Sequence, residues 1–291
     1  MIDATVNVNG RISDARSAVV SVFDHGFLFG DGVYETLRTY NHRPFLLDRH
    51  LVRLRASAAA IGLPVPLSDD ELADRINATM DAAGVPDERY VRVLHTRGVG
   101  DLSYNPAGCP EPTTVVIVRP HRENPPDVLR RGVAIIVSSV LRNHPQAIDP
   151  RIKSNNLLNN ALAMQEAIRA DADEALMRNH RGEVSECAQS NFFLVRHGEA
   201  VTPSLDAGLL EGVTRNFVFE VGAHIDVPVR AAVLRDADLA GADEAFITST
   251  TREILPVTKI DGRSVGSGEP GPVTMALANA FRRRADELTR A

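Results

Sequence analysis

Apolar side chains in the first third of the chain change between the period of a strand and the period of a helix. The runs 17–23 and 33–40 are rich in β-forming residues and predict strands, with a turn at 41–43 after the second run. From Asp48 the apolar residues recur at helical spacing, and Gly62 closes that segment. The pattern therefore predicts strands followed by a helix.

A second helix is predicted by a capping signal. Ser68 is followed three residues later by Glu71, and the helical pattern continues to about Ala83. Strands are then predicted at 90–96 and 114–118.

The second half of the chain has the same mixture of elements, with more hairpins. A buried strand is predicted at 133–140 and a helix from about Asn155 to Ala170. Hairpin turns are predicted at 179–182 and 197–198. The later predicted elements are a helix near Thr214, strands at 225–230 and 244–250, and a last helix from Pro272.

A polar stretch divides these two regions. Residues 121–131 contain two adjacent prolines and no apolar period, which makes them the best candidate for a linker. We therefore predict a small α/β domain at 1–120 and a larger domain at 132–291. Because each half contains helices, strands and hairpins, the predicted fold class is α+β rather than a doubly wound parallel sheet.

Composition narrows the possible functions. The 291 residues are 44% hydrophobic and 24% charged, with a formal net charge of −6, which is typical of a soluble globular protein. Interspersed charges argue against a nucleic-acid or membrane-surface partner, and no apolar stretch could span a bilayer or serve as a signal peptide. Two cysteines, Cys109 and Cys187, do not make a disulfide framework at this length, so we expect a cytoplasmic location.

The basic residues are strongly biased toward arginine. Of the 32 lysines and arginines, only Lys153 and Lys259 are lysines. A guanidinium stays protonated and does not form stable imines. Chemistry that needs a primary amine therefore has two candidate side chains.

Residues 266–271 match the spacing GxGxxG of a dinucleotide-binding loop. That function requires a strand before the loop and a helix that opens within it. Here the loop follows a hairpin-like segment and contains Pro270, so we interpret it as a connector.

Lys153 lies where a strand-like region passes into a predicted helix. A cluster of amide side chains follows it, at Asn155, Asn156, Asn159 and Asn160. In apolar surroundings such amides must be hydrogen-bonded or exposed at a site. A lone lysine is ordinarily solvent-facing, but an amine held in a partly desolvated pocket favours imine chemistry.

Three later segments carry groups that could bind an anionic ligand or a cofactor. Glu186 follows a predicted strand, and Thr214 begins a helix whose first amides could bind phosphate. Four consecutive hydroxyl residues at 248–251 stand at the end of a predicted strand. Taken singly, each has an ordinary explanation as a surface glutamate, a capped helix or a polar turn.

In their order and spacing these segments resemble the class IV, or fold type IV, pyridoxal-phosphate aminotransferases. That family includes branched-chain and D-amino acid aminotransferases and aminodeoxychorismate lyase. The segments that carry the resemblance are 29–35, 50–57, 152–160, 184–186, 190–192, 212–215, 249–253 and 271–274. The resemblance implies a two-domain α+β architecture, with a small α/β N-terminal domain and a larger β-rich pseudo-barrel domain that binds the cofactor.

The resemblance also implies which side chains hold pyridoxal 5'-phosphate. Lys153 matches the lysine that carries the cofactor and acts as nucleophile and proton carrier in a ping-pong transfer. Glu186 matches the carboxylate that pairs with the pyridine nitrogen. The residues that match the phosphate-binding set are Arg53, Val213, Thr214, Ser249 and Thr250. No metal site is expected.

Subfamily features that bear on the substrate are mixed. Tyr34 and Leu157 resemble the residues at the matching positions of D-amino acid aminotransferases. The Arg-x-His pair with which those enzymes bind the substrate carboxylate is, however, missing from the corresponding stretch, 96–104. The residues that match the substrate pocket of branched-chain enzymes are Arg38, Tyr90, Arg92 and Thr251, with Tyr34 expected to line the same pocket. We therefore expect a branched-chain L-amino acid and a 2-oxo acid as substrates, with a D-amino acid as the alternative.

Two other activities stay open at this point. Aminodeoxychorismate lyase uses the same cofactor, although the turn at 249–253 and the full C-terminal helix look more like those of transaminases. A non-catalytic pyridoxal-phosphate-binding protein has little reason to keep the lysine, the glutamate and the phosphate set together. The resemblance further implies a homodimer or a higher homo-oligomer.

Overall fold

The structure, a computed structural model, describes residues 3–290. These residues form two compact units, one of residues 3–122 with Ile152–Leu157 and the other of Glu123–Arg151 with Leu158–Arg290. The observed division differs from the predicted domains 1–120 and 132–291 because the chain returns to the first unit at Ile152–Leu157.

The first unit is a six-stranded antiparallel sheet with three helices. Its elements are β1 (Thr5–Val8), β2 (Arg11–Asp14), α1 (His25–Leu28), β3 (Gly32–Tyr40), β4 (Arg43–Pro44), α2 (Leu47–Ala60), α3 (Asp69–Ala83), β5 (Arg89–Thr96) and β6 (Thr113–Pro120). The strand order is β2-β1-β6-β5-β3-β4.

Helices α2 and α3 cover one face of this sheet. Alternate strand residues point toward the helices and form a buried core with them, which includes Val33, Leu37, Val91, Leu54 and Ile76. The predicted capping box is present, since Ser68 accepts from the Glu71 N–H and Glu71 accepts from the Ser68 N–H.

The predicted strand at 17–23 is wrong. This segment is irregular, and its backbone bonds are local, with the Ala18 N–H donating to the Asp14 carbonyl and the Asp24 N–H donating to the Ser21 carbonyl. Its apolar side chains are exposed, Val19 at 76% and Val22 at 62%. β-forming residues make a strand only when a neighbouring strand supplies hydrogen bonds and cover.

The second unit contains a curled nine-stranded sheet that forms a half-barrel. Its elements are α4 (Pro126–Arg131), β7 (Val133–Val137), α5 (Leu158–Arg169), β8 (Glu174–Arg178), β9 (Val184–Cys187), β10 (Asn191–Arg196), β11 (Glu199–Pro203), α6 (Val213–His224), β12 (Val229–Ala232), α7 (Asp236–Ala240), β13 (Glu244–Ser249), β14 (Glu253–Ile260), β15 (Arg263–Ser264) and α8 (Pro272–Thr289). The strand order is β12-β11-β10-β13-β14-β7-β8-β9, and β15 pairs with β14.

Most strand pairs of this sheet are antiparallel, and the parallel pairs are β7–β8, β7–β14 and β11–β12. The two predicted hairpins are confirmed, because β8 pairs with β9 and β10 pairs with β11. The sheet is buried on one face by a core that includes Ile135, Leu176, Phe192, Ile247 and Leu255. Within residues 3–290, no helix is long and apolar enough to cross a membrane.

Two predicted boundaries in this region shift. The stretch 121–131, predicted as a linker, contains helix α4, which begins at Pro126 because proline is compatible with a first helical turn. The helix predicted from Asn155 begins at Leu158, since the residues before it form backbone hydrogen bonds with β3.

Candidate active site

The backbone of Lys153 is fixed in the first unit. The Tyr34 N–H donates to the Lys153 carbonyl at 3.0 Å, and the Asn155 N–H donates to the Gly32 carbonyl at 2.8 Å. The Lys153 N–H donates to Ser57 Oγ of α2 at 3.1 Å. A Cβ at Gly32 would lie 2.6 Å from Asn155 Nδ2, so only glycine permits this close approach. The lysine segment is therefore held on two sides.

The Lys153 amine lies at an aromatic ring. Its Nζ is 4.4 Å from the centroid of Tyr34, and the Arg92 guanidinium carbon is 4.1 Å from the same centroid. Such distances are those of cation–π contacts. Lys153 is half-buried, whereas Lys259, on β14, is exposed.

The predicted substrate residues of the first unit share one sheet face. The β3–β5 register pairs Thr36 with Arg92 and Arg38 with Tyr90, and Tyr34 lies two residues before Thr36. This face is opposite to the one that α2 and α3 cover. This face therefore carries two arginines and two tyrosines, of which Tyr34 and Arg92 form the cation–π cluster with the Lys153 amine.

Behind this face a buried carboxylate binds two residues of α2. Glu35 accepts from Arg53 Nε at 2.7 Å and Nη2 at 2.8 Å, and its Oε2 is 2.7 Å from His50 Nδ1. Burial raises the pKa of Glu35, but the charges of Arg53 and His50 outweigh it and hold that pKa well below its ordinary value. Burial also lowers the pKa of His50, against the opposing effect of Glu35. Arg53 is thus oriented by Glu35, and its predicted role at the phosphate stays a prediction.

Glu186 is the corresponding buried carboxylate of the second unit. Its Oε1 accepts from Arg142 Nε at 2.8 Å, and its Oε2 accepts from the Leu210 N–H at 3.1 Å and from Asn191 Nδ2 at 3.3 Å. The arginine stabilises the negative charge, while the Leu210 N–H ties the carboxylate to the segment before α6 and Asn191 ties it to β10.

Helix α6 starts with amides that no side chain caps. Its N-cap is Gly212, which has no side chain to accept from the first turn, and Val213 and Thr214 are buried there. A Cβ at Gly212 would overlap Asn191 Oδ1. Unsatisfied amides at a helix start are a suitable site for an anion.

The hydroxyl-rich turn, residues Ser249–Thr251, connects β13 to Arg252 and β14. The Arg252 N–H donates to Ser249 Oγ at 3.3 Å, which leaves the hydroxyl hydrogen of Ser249 available for donation. In the preceding strand, Thr248 pairs with Asn191 of β10, and its buried Oγ1 makes no hydrogen bond within residues 3–290. These groups are neutral donors at one end of the sheet.

Sequence reasoning missed Arg142 and explains only part of the asparagine cluster. Arg142 Nη1 donates to Asn159 Oδ1 at 3.0 Å, and Asn159 Nδ2 donates to the Leu141 carbonyl at 2.8 Å. Asn160 Nδ2 donates to the Ala188 carbonyl at 2.7 Å. Two of the four amides therefore support the surroundings of Glu186, and no local motif marks Arg142 as their partner.

The connector at 266–271 leads into α8, and a carboxylate of the protein accepts hydrogen bonds from the first N–H groups of that helix. The Val273 and Thr274 N–H groups donate to the Glu244 carboxylate at 3.0 and 2.7 Å. A Cβ at Gly271 would overlap that carboxylate, which accounts for the glycine. This helix start already has its acceptor, in agreement with the interpretation of the segment as a connector.

The donor chemistry of the two units fits pyridoxal phosphate. The first unit has a primary amine beside an aromatic ring. The second unit has a buried carboxylate that could pair with a pyridine nitrogen, uncapped helix-start amides and a hydroxyl-rich turn that could bind a phosphate dianion. Residues 3–290 contain no cluster of three or more histidine, cysteine or acidic side chains that could hold a metal ion.

Comparison with known proteins identifies the family. The sequence profile described as amino-transferase class IV matches residues 32–260. The chain belongs to the class IV aminotransferases and is a transaminase that depends on pyridoxal phosphate.

Similar proteins carry two kinds of name. A Methanocaldococcus jannaschii protein, provisionally named a branched-chain-amino-acid aminotransferase, is 38% identical over 277 residues, which cover 95% of each chain. The D-alanine aminotransferase of Listeria monocytogenes is 37% identical over 291 residues, covering 98% of this chain and 96% of the relative.

A solved structure agrees in fold. The branched-chain aminotransferase of the thermophilic archaeon Thermoproteus uzoniensis, solved with norvaline, superposes with a TM-score of 0.90 at 32% identity, covering 98% of this chain and 96% of that one. The predicted family, α+β fold class, cofactor and transaminase activity are thereby confirmed. The roles of individual site residues stay predictions.

Proposed function

We propose that this transaminase prefers branched-chain L-amino acids as amino donors and uses a 2-oxo acid as acceptor. The observation that carries the proposal is the position of Arg97, the arginine nearest to where D-amino acid enzymes have their carboxylate trap. Arg97 donates to both carboxylate oxygens of Asp31, at 2.9 and 3.1 Å, and to the carbonyls of Ile61 and Gly62. Arg97 is buried, and each of its three guanidinium nitrogens already donates to an oxygen of the protein. It is therefore unsuited to bind a substrate carboxylate.

Other residues that match substrate-binding positions of branched-chain enzymes lie outside this stretch. Arg38, Tyr90 and Arg92 lie on the face of the first-unit sheet that α2 and α3 do not cover, where Arg38 is buried and the other two are half-buried, and Thr251 lies in the hydroxyl-rich turn of the second unit. A carboxylate needs several donors to offset the cost of leaving water. Each of these four side chains has a polar group that can donate to a carboxylate, which supports the proposed L-specific function.

Each cofactor-binding residue is proposed to act on one part of pyridoxal phosphate. When bound, the cofactor supplies an electron-accepting ring that makes the substrate α-proton acidic. The Lys153 amine carries the cofactor, then accepts the α-proton and returns it as general acid. Glu186 holds a proton at the ring nitrogen, with Arg142 stabilising its charge. The proposed phosphate ligands are Arg53, Val213, Thr214, Ser249 and Thr250.

The test of substrate choice is a half-reaction screen. The enzyme is mixed separately with L-leucine, L-valine, D-alanine and D-glutamate, and the cofactor absorbance is followed without any acceptor. We expect L-leucine or L-valine to convert the cofactor faster than D-alanine. Rapid conversion by D-alanine with none by either L-amino acid would reject the proposal in favour of the D-specific alternative, which Tyr34 and Leu157 support.

We also propose a homodimer in a reducing cytoplasm. The first unit exposes several large apolar side chains, among them Leu102 at 72% and Tyr104 at 88%, which a second copy could cover. Cys109 and Cys187 are free thiols that form no disulfide within residues 3–290, as is usual in a reducing compartment. Sedimentation equilibrium measures the mass in solution, and a monomer at micromolar concentration would reject the dimer.

A further inference from the structure

An ion pair between a buried carboxylate and a partly exposed arginine adjoins the hydroxyl-rich turn. Glu174, on β8, is 0% exposed, and its Oε2 accepts from Arg252 Nη1 at 2.8 Å. Its other partners are the Ser190 hydroxyl at 3.2 Å and its own neighbour, the Ala175 N–H, at 3.1 Å. Among the described residues Arg252 is the one cationic partner of this carboxylate, and it follows Thr251 directly in the chain.

Arg252 also makes backbone contacts that shape the turn. Its N–H donates to Ser249 Oγ at 3.3 Å, and its carbonyl accepts from Asn124 Nδ2 at 3.3 Å. The next residue, Glu253, is buried with a left-handed φ of 56° and accepts from Arg282 Nε of α8 at 2.6 Å. The turn is therefore anchored at its end by two ion pairs, one to β8 and one to α8.

Because Glu174 is buried, its ion pair restricts the orientation of the Arg252 side chain. Burial raises the pKa of Glu174, and Arg252 is the main group that opposes this effect. Movement of Arg252 away from β8 would therefore leave the buried carboxylate without its cation or force it to take up a proton, and either change costs free energy. The side chain of Arg252 is thereby restrained, and with it the backbone that carries Ser249, Thr250 and Thr251.

We propose that Glu174 is a positioning residue, which acts through Arg252 to hold the turn at 249–251 in a conformation that binds anions. The inference rests on the proposed function, in which this turn binds the cofactor phosphate and the substrate carboxylate. Glu174 has no contact with substrate or cofactor in this role. Its effect is to fix the directions of the hydroxyls and amides beside it, as supporting residues do in preorganised sites.

The test is a double-mutant cycle on cofactor and substrate binding. Glu174→Gln keeps the side-chain volume and removes the charge, and Arg252→Gln removes the charge from the other side. Each variant should raise the Kd for pyridoxal phosphate and the KM for the 2-oxo acid by about three- to thirtyfold, with kcat at saturation much less affected. The double variant should be no worse than the more affected single variant, because both act through one contact. Arg252→Lys should recover part of the loss.

Glu183→Gln is the matched control. Glu183 is also buried in the second unit, and its side-chain hydrogen bonds and ion pairs within residues 3–290 are with Asn179, Arg181 and Arg235, none of which belongs to the turn. Its Kd and KM should equal those of the parent enzyme. Unchanged Kd and KM in Glu174→Gln and Arg252→Gln, or additive losses in the double variant, would overturn the inference.

Hydrogen exchange of the free protein separates this inference from the proposed function. In Glu174→Gln the amides of residues 250–252 should exchange faster than in the parent, while those around 179–183 should not change. Unchanged exchange at 250–252 would reject positioning by Glu174, whatever the substrate is. A parent protein that binds no pyridoxal phosphate would instead refute the proposed function, and the exchange result would still report on the turn.

Discussion

The two units present different kinds of chemistry. The first unit presents cations and aromatic rings, with Lys153 and Arg92 at the ring of Tyr34, and its buried Glu35 is bonded to Arg53 and His50 behind the sheet. The second unit presents neutral donors at the start of α6 and in the turn at 249–251, together with Glu186.

The two buried carboxylates, Glu35 and Glu186, have different partners, and this difference suggests different functions. Glu35 is 1% exposed and is bonded to the basic side chains Arg53 and His50 of α2, which it can orient. Within residues 3–290, Glu186 has a single cationic partner, and its other hydrogen bonds come from an amide side chain and a backbone N–H. The proposed role of Glu186 is catalytic support, and that of Glu35 is the orientation of Arg53.

The largest loss of transamination rate is expected when the amine of Lys153 is removed. Lys153→Ala should lower the rate of transamination by at least about 10²–10⁴-fold, because no other group can carry and return the α-proton. Steady-state rates with a branched-chain donor measure this loss. The matched control is Lys259→Ala, which removes the exposed lysine and should leave the rate unchanged. Comparable losses in both variants would remove the distinction between the two lysines.

The next effect concerns the carboxylate of the second unit. Glu186→Gln should slow removal of the α-proton by about 10²–10³-fold, since a neutral amide does not stabilise a protonated ring nitrogen. Stopped-flow measurement of the half-reaction isolates this step. Full half-reaction rates in the variant, with normal rates also in Glu183→Gln, would show that Glu186 has no part in the chemistry.

A smaller effect is expected on cofactor affinity. Arg53→Ala should raise the Kd for pyridoxal phosphate about tenfold to a hundredfold, because a charge-assisted hydrogen bond contributes about 1.5–3 kcal/mol. Arg55→Ala is the control on the same helix, since Arg55 pairs with exposed Asp69. If Arg53→Ala stays loaded through dialysis as the parent does, Arg53 is not a phosphate ligand.

The smallest effect is on the pH dependence of stability. Glu35 has a pKa lowered from 4.5, so its contribution to stability is present above that pH and is lost as the pH falls through the folded value. His50 has a pKa lowered from 6.5, so the unfolded state takes up its proton first and acid destabilises the fold in the same direction. Urea unfolding between pH 7 and 3 should show a decline that Glu35→Gln reduces by roughly 1–3 kcal/mol. Identical profiles would show that Glu35 does not contribute.

The sequence predicted those parts of the fold that local patterns determine. The capping box at Ser68 and the hairpins at 179–182 and 197–198 depend on neighbouring residues, and all three are present. The strand predicted at 17–23 failed because a strand depends on a partner that the local sequence does not specify. The start of α5 moved to Leu158 because of hydrogen bonds with a strand far away in the chain.

The residues of the candidate site likewise fall into two groups, those that a sequence motif marks and those that only the fold identifies. Lys153, Glu186 and the turn at 249–251 could be selected from the sequence because the family motifs surround them. Arg142 and Glu174 could not, since each depends on one tertiary contact, with Glu186 and with Arg252 respectively. Supporting residues of this kind are determined by the fold and carry no local signature.

The most direct test of the central claim uses the scarcity of lysine in this chain. The loaded enzyme is reduced with borohydride, which makes the bond between cofactor and amine permanent, and is then digested and mapped by mass spectrometry. We predict that the pyridoxyl label is on the peptide that contains Lys153, at close to one label per chain. A label confined to the peptide that contains Lys259 would contradict the account.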